Sequence, residues 1–244
     1  MKIYANGCSF TYGDELSNPA ESAWPILLAD KLSGDIVNDA VSGGSNYRTI
    51  YRTIKNIKEE YDLYLIAWTD YSRFTFYKSD NNFEVNFNIN LKNDMNQNND
   101  EFKKWGLTLY KHWYNELYMF KLWLQQILQL QSLLKDKNYL MINTMSNNLS
   151  YWTADKDQFI KSVKHLINFD IMNDKQIFDE YEEIRYYIDS IDLSKFYQWN
   201  QFFITQLCVD FPVGVNGHIL EQGHQYLSEL LYNHIFLNIK RNKD

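Results

Sequence analysis

The stretch IYANGCSFTYGDEL, residues 3–16, sets the reading of the chain. A short, β-prone apolar run stops at Gly7, Ser9 follows between Cys8 and Phe10, and a second glycine stands at Gly13. A strand that ends on glycine and gives way to a small hydroxyl is either a plain turn or the mouth of a sheet holding a nucleophile. The next residues indicate what kind of sheet this is. ESAWPILLADKL (21–32) places Trp24, Leu27, Leu28 and Leu32 at helical spacing, with Pro25 at the first turn and Gly34 as a stop. DIVND (35–39) reads as a second strand, and SGGSNYRTIYRTIKNIKEEY (42–61) as a turn and a helix capped near Ser45 or Asn46. DLYLIAW (62–68) is a third strand, apolar enough to be central. Strand, helix, strand, helix, strand within the first 70 residues is the signature of a doubly wound parallel sheet.

Beyond Asp70 the pattern loosens. NFEVNFNINL (82–91) alternates like a strand or hairpin arm, and NDMNQNND (93–100) reads as a polar loop. Residues 101–137 carry dense apolar positions and predict one long helix covered on more than one side. An insertion plus that helix is expected over 71–135, within a single domain spanning 1–244. NYLMINTM (138–145) is a fourth strand, residues 156–207 read as mostly helical, and residues 219–240 form a closing amphipathic helix. The predicted fold class is α/β: a three-layer α/β/α sandwich on a flavodoxin-like parallel sheet of about five strands, with a helical and loop insertion.

The composition is that of a globular protein, 45% apolar and 23% charged, with an aromatic share of 17%. A net charge of −7 argues against broad nucleic-acid binding, which needs clustered Lys and Arg. Cys8 and Cys208 make neither a disulfide framework nor a four-cysteine zinc site. No signal peptide or membrane-length apolar run is read, so the expectation is a cytoplasmic protein without membrane partners.

Ligands of open parallel sheets bind beyond the carboxyl ends of the strands. Three loops fall there: GCSFTYG (7–13), NDAVSGGSN (38–46) and WTDYSR (68–73). A fourth segment, VNGHILEQGH (215–224), precedes the last helix. Together they offer a hydroxyl nucleophile, small or polar donors and an imidazole base, the groups that acyl transfer requires. Each also has a plainer reading: Ser9 as a turn or cap residue, Gly43-Gly44 as a turn, Thr69 and Asp70 as a strand end, His218 as a packing residue. His224 lies on the stripe of Leu220, Leu227 and Leu231. Six residues of helix rotate it by about 600° from His218, so it reads as a packed histidine rather than half of a metal pair.

In order along the chain these four segments resemble the SGNH (GDSL-like) hydrolases. Gly7-Cys8-Ser9 with Thr11 and Gly13 stands where that family has its Gly-Asp-Ser block. Asn38 to Gly43 matches the second block, Ala67-Trp68-Thr69-Asp70 the Gly-x-Asn-Asp block, and Val215-Asn216-Gly217-His218 the Asp-x-x-His block. The resemblance implies a serine esterase with Ser9 as nucleophile and His218 as base. It implies an oxyanion hole from Gly43 and the Ser9 N–H, with Thr69 or Asn46 contributing. It implies no metal or cofactor, and a small-molecule or glycan ester as substrate, carbohydrate O-deacetylation being a common task of the family.

Two departures stand out: Thr69 replaces the family's asparagine, and Val215 replaces the acid that orients the histidine. Asn216 and Asp210 are the candidates for that orienting role, while Asp70, Arg73 and Glu15 flank the mouth as candidate substrate contacts. A resemblance to hydrolase-like proteins of phage and microbial genomes adds a virion-associated setting. The alternatives are an inactive SGNH-fold binding or structural module and an O-acyltransferase using the same residues.

Overall fold

The computed structural model describes residues 1–77, 84–88, 104, 108, 112, 114–145, 155–163, 173–199 and 203–241. The first half runs β1 (Lys2–Asn6), α1 (Ser9–Tyr12), α2 (Pro19–Ser22), α3 (Trp24–Lys31), β2 (Asp35–Asn38), α4 (Asn46–Asn56), β3 (Leu63–Trp68), β4 (Arg73–Tyr77) and β5 (Glu84–Asn88). The second half runs α5 (Glu116–Leu133), β6 (Tyr139–Asn143), α6 (Lys156–Val163), α7 (Asp174–Ser190), a 3₁₀ turn (Leu193–Lys195), α8 (Phe203–Asp210) and α9 (Glu221–Arg241).

Four strands make the main sheet, in the order β2-β1-β3-β6, and all neighbours are parallel. Ile3 faces both Ile36 and Leu63, and Tyr64 faces Tyr139. About five strands were expected. The place beside β6 is instead held by a single parallel bridge from Met141 to Phe196, with the Tyr197 N–H donating to the Met141 carbonyl at 2.8 Å. The order reverses between β1 and β3, the switch point at which loops diverge and leave a crevice.

Alternate residues of each strand point to opposite faces, and both faces are buried. Ile3, Ala5, Leu63, Leu65, Ala67, Leu140 and Ile142 pack one way, against Trp24 and Leu28 of α3 and Leu227 and Leu231 of α9. Tyr4, Tyr64, Ile66, Trp68, Tyr139 and Met141 pack the other way, against Phe120, Trp123, Leu124 and Ile127 of α5 and Ile184 and Ile188 of α7. This gives the expected three layers, with the all-buried β3 near their centre.

The long helix expected over 101–137 is a shorter one. Asn115 is extended (φ −130°) and its side chain accepts the Tyr118 N–H, so α5 starts afresh at Glu116. Most of 101–113 lies outside the described residues, as does the polar loop at 93–100. The strand expected near 82–91 is β5, antiparallel to β4.

One polar network is built into the second face. The Asp39 carboxylate accepts from Arg52 Nε and Nη2 (2.8–3.1 Å), Tyr4 Oη (3.0 Å) and Asn56 Nδ2 (3.2 Å), while Arg48 Nη1 donates to the Asp39 carbonyl at 2.8 Å. Burial, and then the Asp39 charge, push the Tyr4 phenol far above its usual range, so it remains a donor. Removing the carboxylate takes the two-oxygen acceptor from Arg52 and an acceptor from Tyr4 and Asn56, while Arg48 keeps the Asp39 carbonyl. Asp39→Ala is therefore expected to cost about 3–5 kcal/mol, read as a lower urea midpoint at unchanged slope.

Candidate active site

The loops after β1 and β2 meet at the β1 carboxyl end. The Val41 N–H reaches the Gly7 carbonyl at 3.4 Å, and Asn38 Nδ2 donates to the Thr11 carbonyl at 3.0 Å. A Cβ on Gly44 would lie 3.0 Å from the Gly7 carbonyl oxygen, so a side chain there would push the two loops apart. Among the described residues, neither the Ser9 nor the Gly43 N–H donates to a backbone carbonyl in the loops and turns. Ser9 opens the one-turn helix α1 and is nearly covered, at 3% exposure. Cys8 points the other way into the core, its Sγ 3.8 Å from Thr144 Oγ1, which removes it as a surface nucleophile.

After α1 the chain turns at Gly13 (φ 97°), and Glu15 also adopts a left-handed backbone, φ 67°. A non-glycine residue held there costs roughly 1–3 kcal/mol, and its neighbours must over-determine it. They do so through its carboxylate. Oε2 lies 2.9 Å from His218 Nδ1 and accepts the His218 N–H at 3.1 Å. The Asn216 N–H reaches Oε1 at 2.9 Å and Oε2 at 3.1 Å, and Asn216 Nδ2 reaches Oε1 at 3.3 Å. A Cβ on Gly214 would sit 2.5 Å from the Glu15 carboxyl carbon, so a side chain there would displace the carboxylate from its place against this loop. Desolvation tends to raise the Glu15 pKa, but the Asn216 and His218 hydrogen bonds outweigh it and hold the group below the usual carboxylate range.

The loop that presents His218 is a tight reversal. Val213 bridges Ile219, the Gly214 N–H donates to the His218 carbonyl (2.8 Å), and the Gly217 N–H donates to the Gly214 carbonyl (3.0 Å). Val215, at the position where the SGNH pattern has its acid, is at the tip of this turn and 99% exposed. The carboxylate bonded to His218 therefore comes from the opposite end of the chain, from Glu15, and not from Asn216 or Asp210. Asn216 instead helps to hold Glu15. A carboxylate on Nδ1 fixes the proton there and leaves Nε2 as the basic nitrogen. The Phe10 ring packs on the imidazole, centroids 4.7 Å apart, so His218 lies against the residue next to Ser9. Ser9 makes no hydrogen bond to His218 among the described contacts; such bonds are commonly long before substrate is bound.

The remaining expected site residues have local tasks. Asn46 Nδ2 donates to the Thr69 carbonyl (2.9 Å) and its Oδ1 accepts the Thr69 N–H (2.8 Å), so this amide clamps the β3 end. The fully buried Thr69 donates its hydroxyl to Met145 Sδ (3.4 Å). Asp70 closes a turn, its Oδ1 accepting the Ser72 N–H at 2.7 Å. Arg73 begins β4. Among the described residues no cluster of His, Cys, Asp and Glu is arranged to hold a metal ion, and no helix is long and apolar enough to cross a membrane.

His224 is fully buried, and its Nδ1 accepts the Trp24 N–H at 3.0 Å. Burial holds the imidazole down at about 4, against the opposing pull of Glu221. A folded pKa below the unfolded 6.5 gives stability that is complete above pH 6.5 and is lost as the pH falls towards 4. The expected loss is about 3 kcal/mol. Thermal melts across that window check it: His224→Gln is expected to flatten the slope.

A family model matches residues 14–210. The chain belongs to DUF6071, a family of unknown function. In this DUF6071 protein the matched span includes Glu15 but begins after Ser9 and ends before His218. No curated protein matches the chain. Among solved structures, it is similar to a psychrotrophic esterase, EstA, from Pseudoalteromonas sp., at 11% identity and TM-score 0.48 over 98% of each chain. It is similar to a member of the lipolytic protein G-D-S-L family from Veillonella parvula DSM 2008 at 13% identity and TM-score 0.44, over 94% of each. A carbohydrate esterase family 2 enzyme from Corynascus thermopiles (Myceliophthora fergusii) gives 14% identity and TM-score 0.45, over 98% of this chain and 66% of that one.

Proposed function

We propose that this DUF6071 protein is a serine hydrolase of carboxylic esters, with Ser9 as nucleophile, His218 as general base and acid, and Glu15 as the group that orients and charge-stabilises His218. The observation that carries the reading is the Glu15 carboxylate 2.9 Å from His218 Nδ1, held by backbone and side-chain donors of the same loop. It supplies the acid that position 215 lacks. The order of the four sequence blocks and the position of Ser9 beyond the β1 end, at the switch point of the sheet, support the same reading.

The steps follow from acyl-transfer chemistry. His218 Nε2 takes the Ser9 hydroxyl proton as Oγ attacks the ester carbonyl, and the imidazolium that forms is stabilised by Glu15. The Ser9 and Gly43 N–H groups donate to the developing oxyanion. Collapse expels the alcohol, which takes its proton from His218, and leaves an acyl-Ser9 ester. Water, deprotonated by His218, then releases the acid and regenerates Ser9. The SGNH resemblance makes a carbohydrate O-acetyl ester the first natural substrate class to try.

The test is rapid mixing with p-nitrophenyl acetate. A burst of p-nitrophenol stoichiometric with protein, followed by slower turnover, is the expected signature of an acyl-enzyme. Release at the buffer rate with this ester and with acetylated oligosaccharides contradicts the reading.

A further inference from the structure

Between α4, β4 and α5 lies a cavity of about 220 Å³, lined by Asn46, Tyr71, Arg73, Phe74, Met119 and Trp123 among others. Its walls are mainly aromatic and aliphatic, yet they contain a cation. Arg73 Nε and Nη1 are sealed from solvent and have no hydrogen-bond acceptor among the described residues. The Trp123 indole N–H is likewise buried without an acceptor. Among the described lining residues, the unpartnered buried polar atoms are thus donors and none is an acceptor.

The nearby polar groups have other partners. Glu116 Oε1 accepts the Tyr71 hydroxyl at 2.8 Å, Asp70 Oδ1 accepts the Ser72 N–H, and the Asn46 amide is spent on Thr69. A guanidinium with two covered, unbonded nitrogens is costly, and an acceptor brought to it would offset that cost.

We propose that this cavity is a binding site for a small organic anion, a carboxylate carried on a compact apolar ring. The carboxylate pairs with Arg73, whose long side chain turns its fork to the occupant, and the ring lies among Tyr71, Phe74, Met119 and Trp123. A planar two-oxygen acceptor suits a guanidinium fork, and the volume admits a single ring rather than a drug-sized ligand. The site stands on these orphaned donors and this volume. It holds whether or not Ser9 is a nucleophile.

Calorimetric titration of the full chain with benzoate, benzamide and inorganic phosphate tests it. Benzoate is expected to bind at least about 10-fold more tightly than either control, and Arg73→Met to weaken it about 10- to 100-fold, with Arg73→Lys in between. Unliganded Arg73→Met is expected to melt no lower than the wild type, because an unpaired buried charge has been removed. A clear drop in its melting temperature assigns Arg73 a structural role and overturns the proposal. Failure of benzoate to bind, binding unchanged in Arg73→Met, or phosphate binding as tightly as benzoate also overturns it.

Discussion

Glu15→Gln is expected to lower kcat for p-nitrophenyl acetate by about 10⁴ with little change in KM. The amide keeps the shape of the carboxylate but not its charge. Its NH2 group must also face a nest of donors, the N–H groups of Asn216 and His218 and the His218 ring. The imidazole then loses both its tautomer preference and its counter-charge. Asp210→Asn and Asn216→Ala serve as internal comparisons. Neither removes the charge on His218 Nδ1, so each is expected to change kcat by less than about 10-fold, Asn216→Ala through weaker support of Glu15. Circular dichroism of all three variants checks that the fold is kept. A large loss in Asp210→Asn beside a small one in Glu15→Gln contradicts the assignment.

Ser9→Ala and His218→Ala are each expected to lower kcat by about 10⁴–10⁶, and the double variant to be hardly slower than either single one. The logic is that of a unit: a hydroxyl without its base, or a base without its hydroxyl, performs no step of the reaction. Additive losses in the double variant indicate two independent roles and contradict a shared proton transfer. Folding is not expected to suffer in Ser9→Ala, since its side chain makes no hydrogen bond among the described residues, and melting temperatures compare the two effects directly.

Much of the scaffold was legible in the chain. The apolar runs at β1 and β3, the helix from Trp24 and the glycine pair after β2 announce a parallel sheet with polar loops at one end; the stop expected at Gly34 falls earlier, α3 ending at Lys31 with Ser33 in the left-handed backbone (φ 51°). Alternation is weak in such strands because both faces are buried, so composition and spacing carry the signal. What the sequence hid was long-range pairing. Glu15 and His218 are 203 positions apart, and nothing local marks Glu15 as the partner of an imidazole. Its strain, its left-handed backbone and the glycine that makes room for it at 214 exist only once the ends of the chain meet. The pattern of the resembled family pointed to position 215, which the fold turns out to solvent.

The Asn46 clamp was hidden for a similar reason, since an amide that could face substrate was instead bonded to the Thr69 backbone. The break before α5 was readable. Asn115 followed by Glu116 is a helix-start signal, hidden by the apolar pattern that continues on both sides of it. The Asp39 network also left a trace, in two arginines four residues apart on α4.

The most direct test of the central claim is covalent. Intact-mass and peptide analysis after treatment with an alkyl fluorophosphonate reads out the activated nucleophile itself, independently of any choice of ester. One adduct per chain on Ser9, absent in His218→Ala and strongly slowed in Glu15→Gln, is the expected result. No adduct, or an adduct on another residue with Ser9 unmodified, contradicts the account.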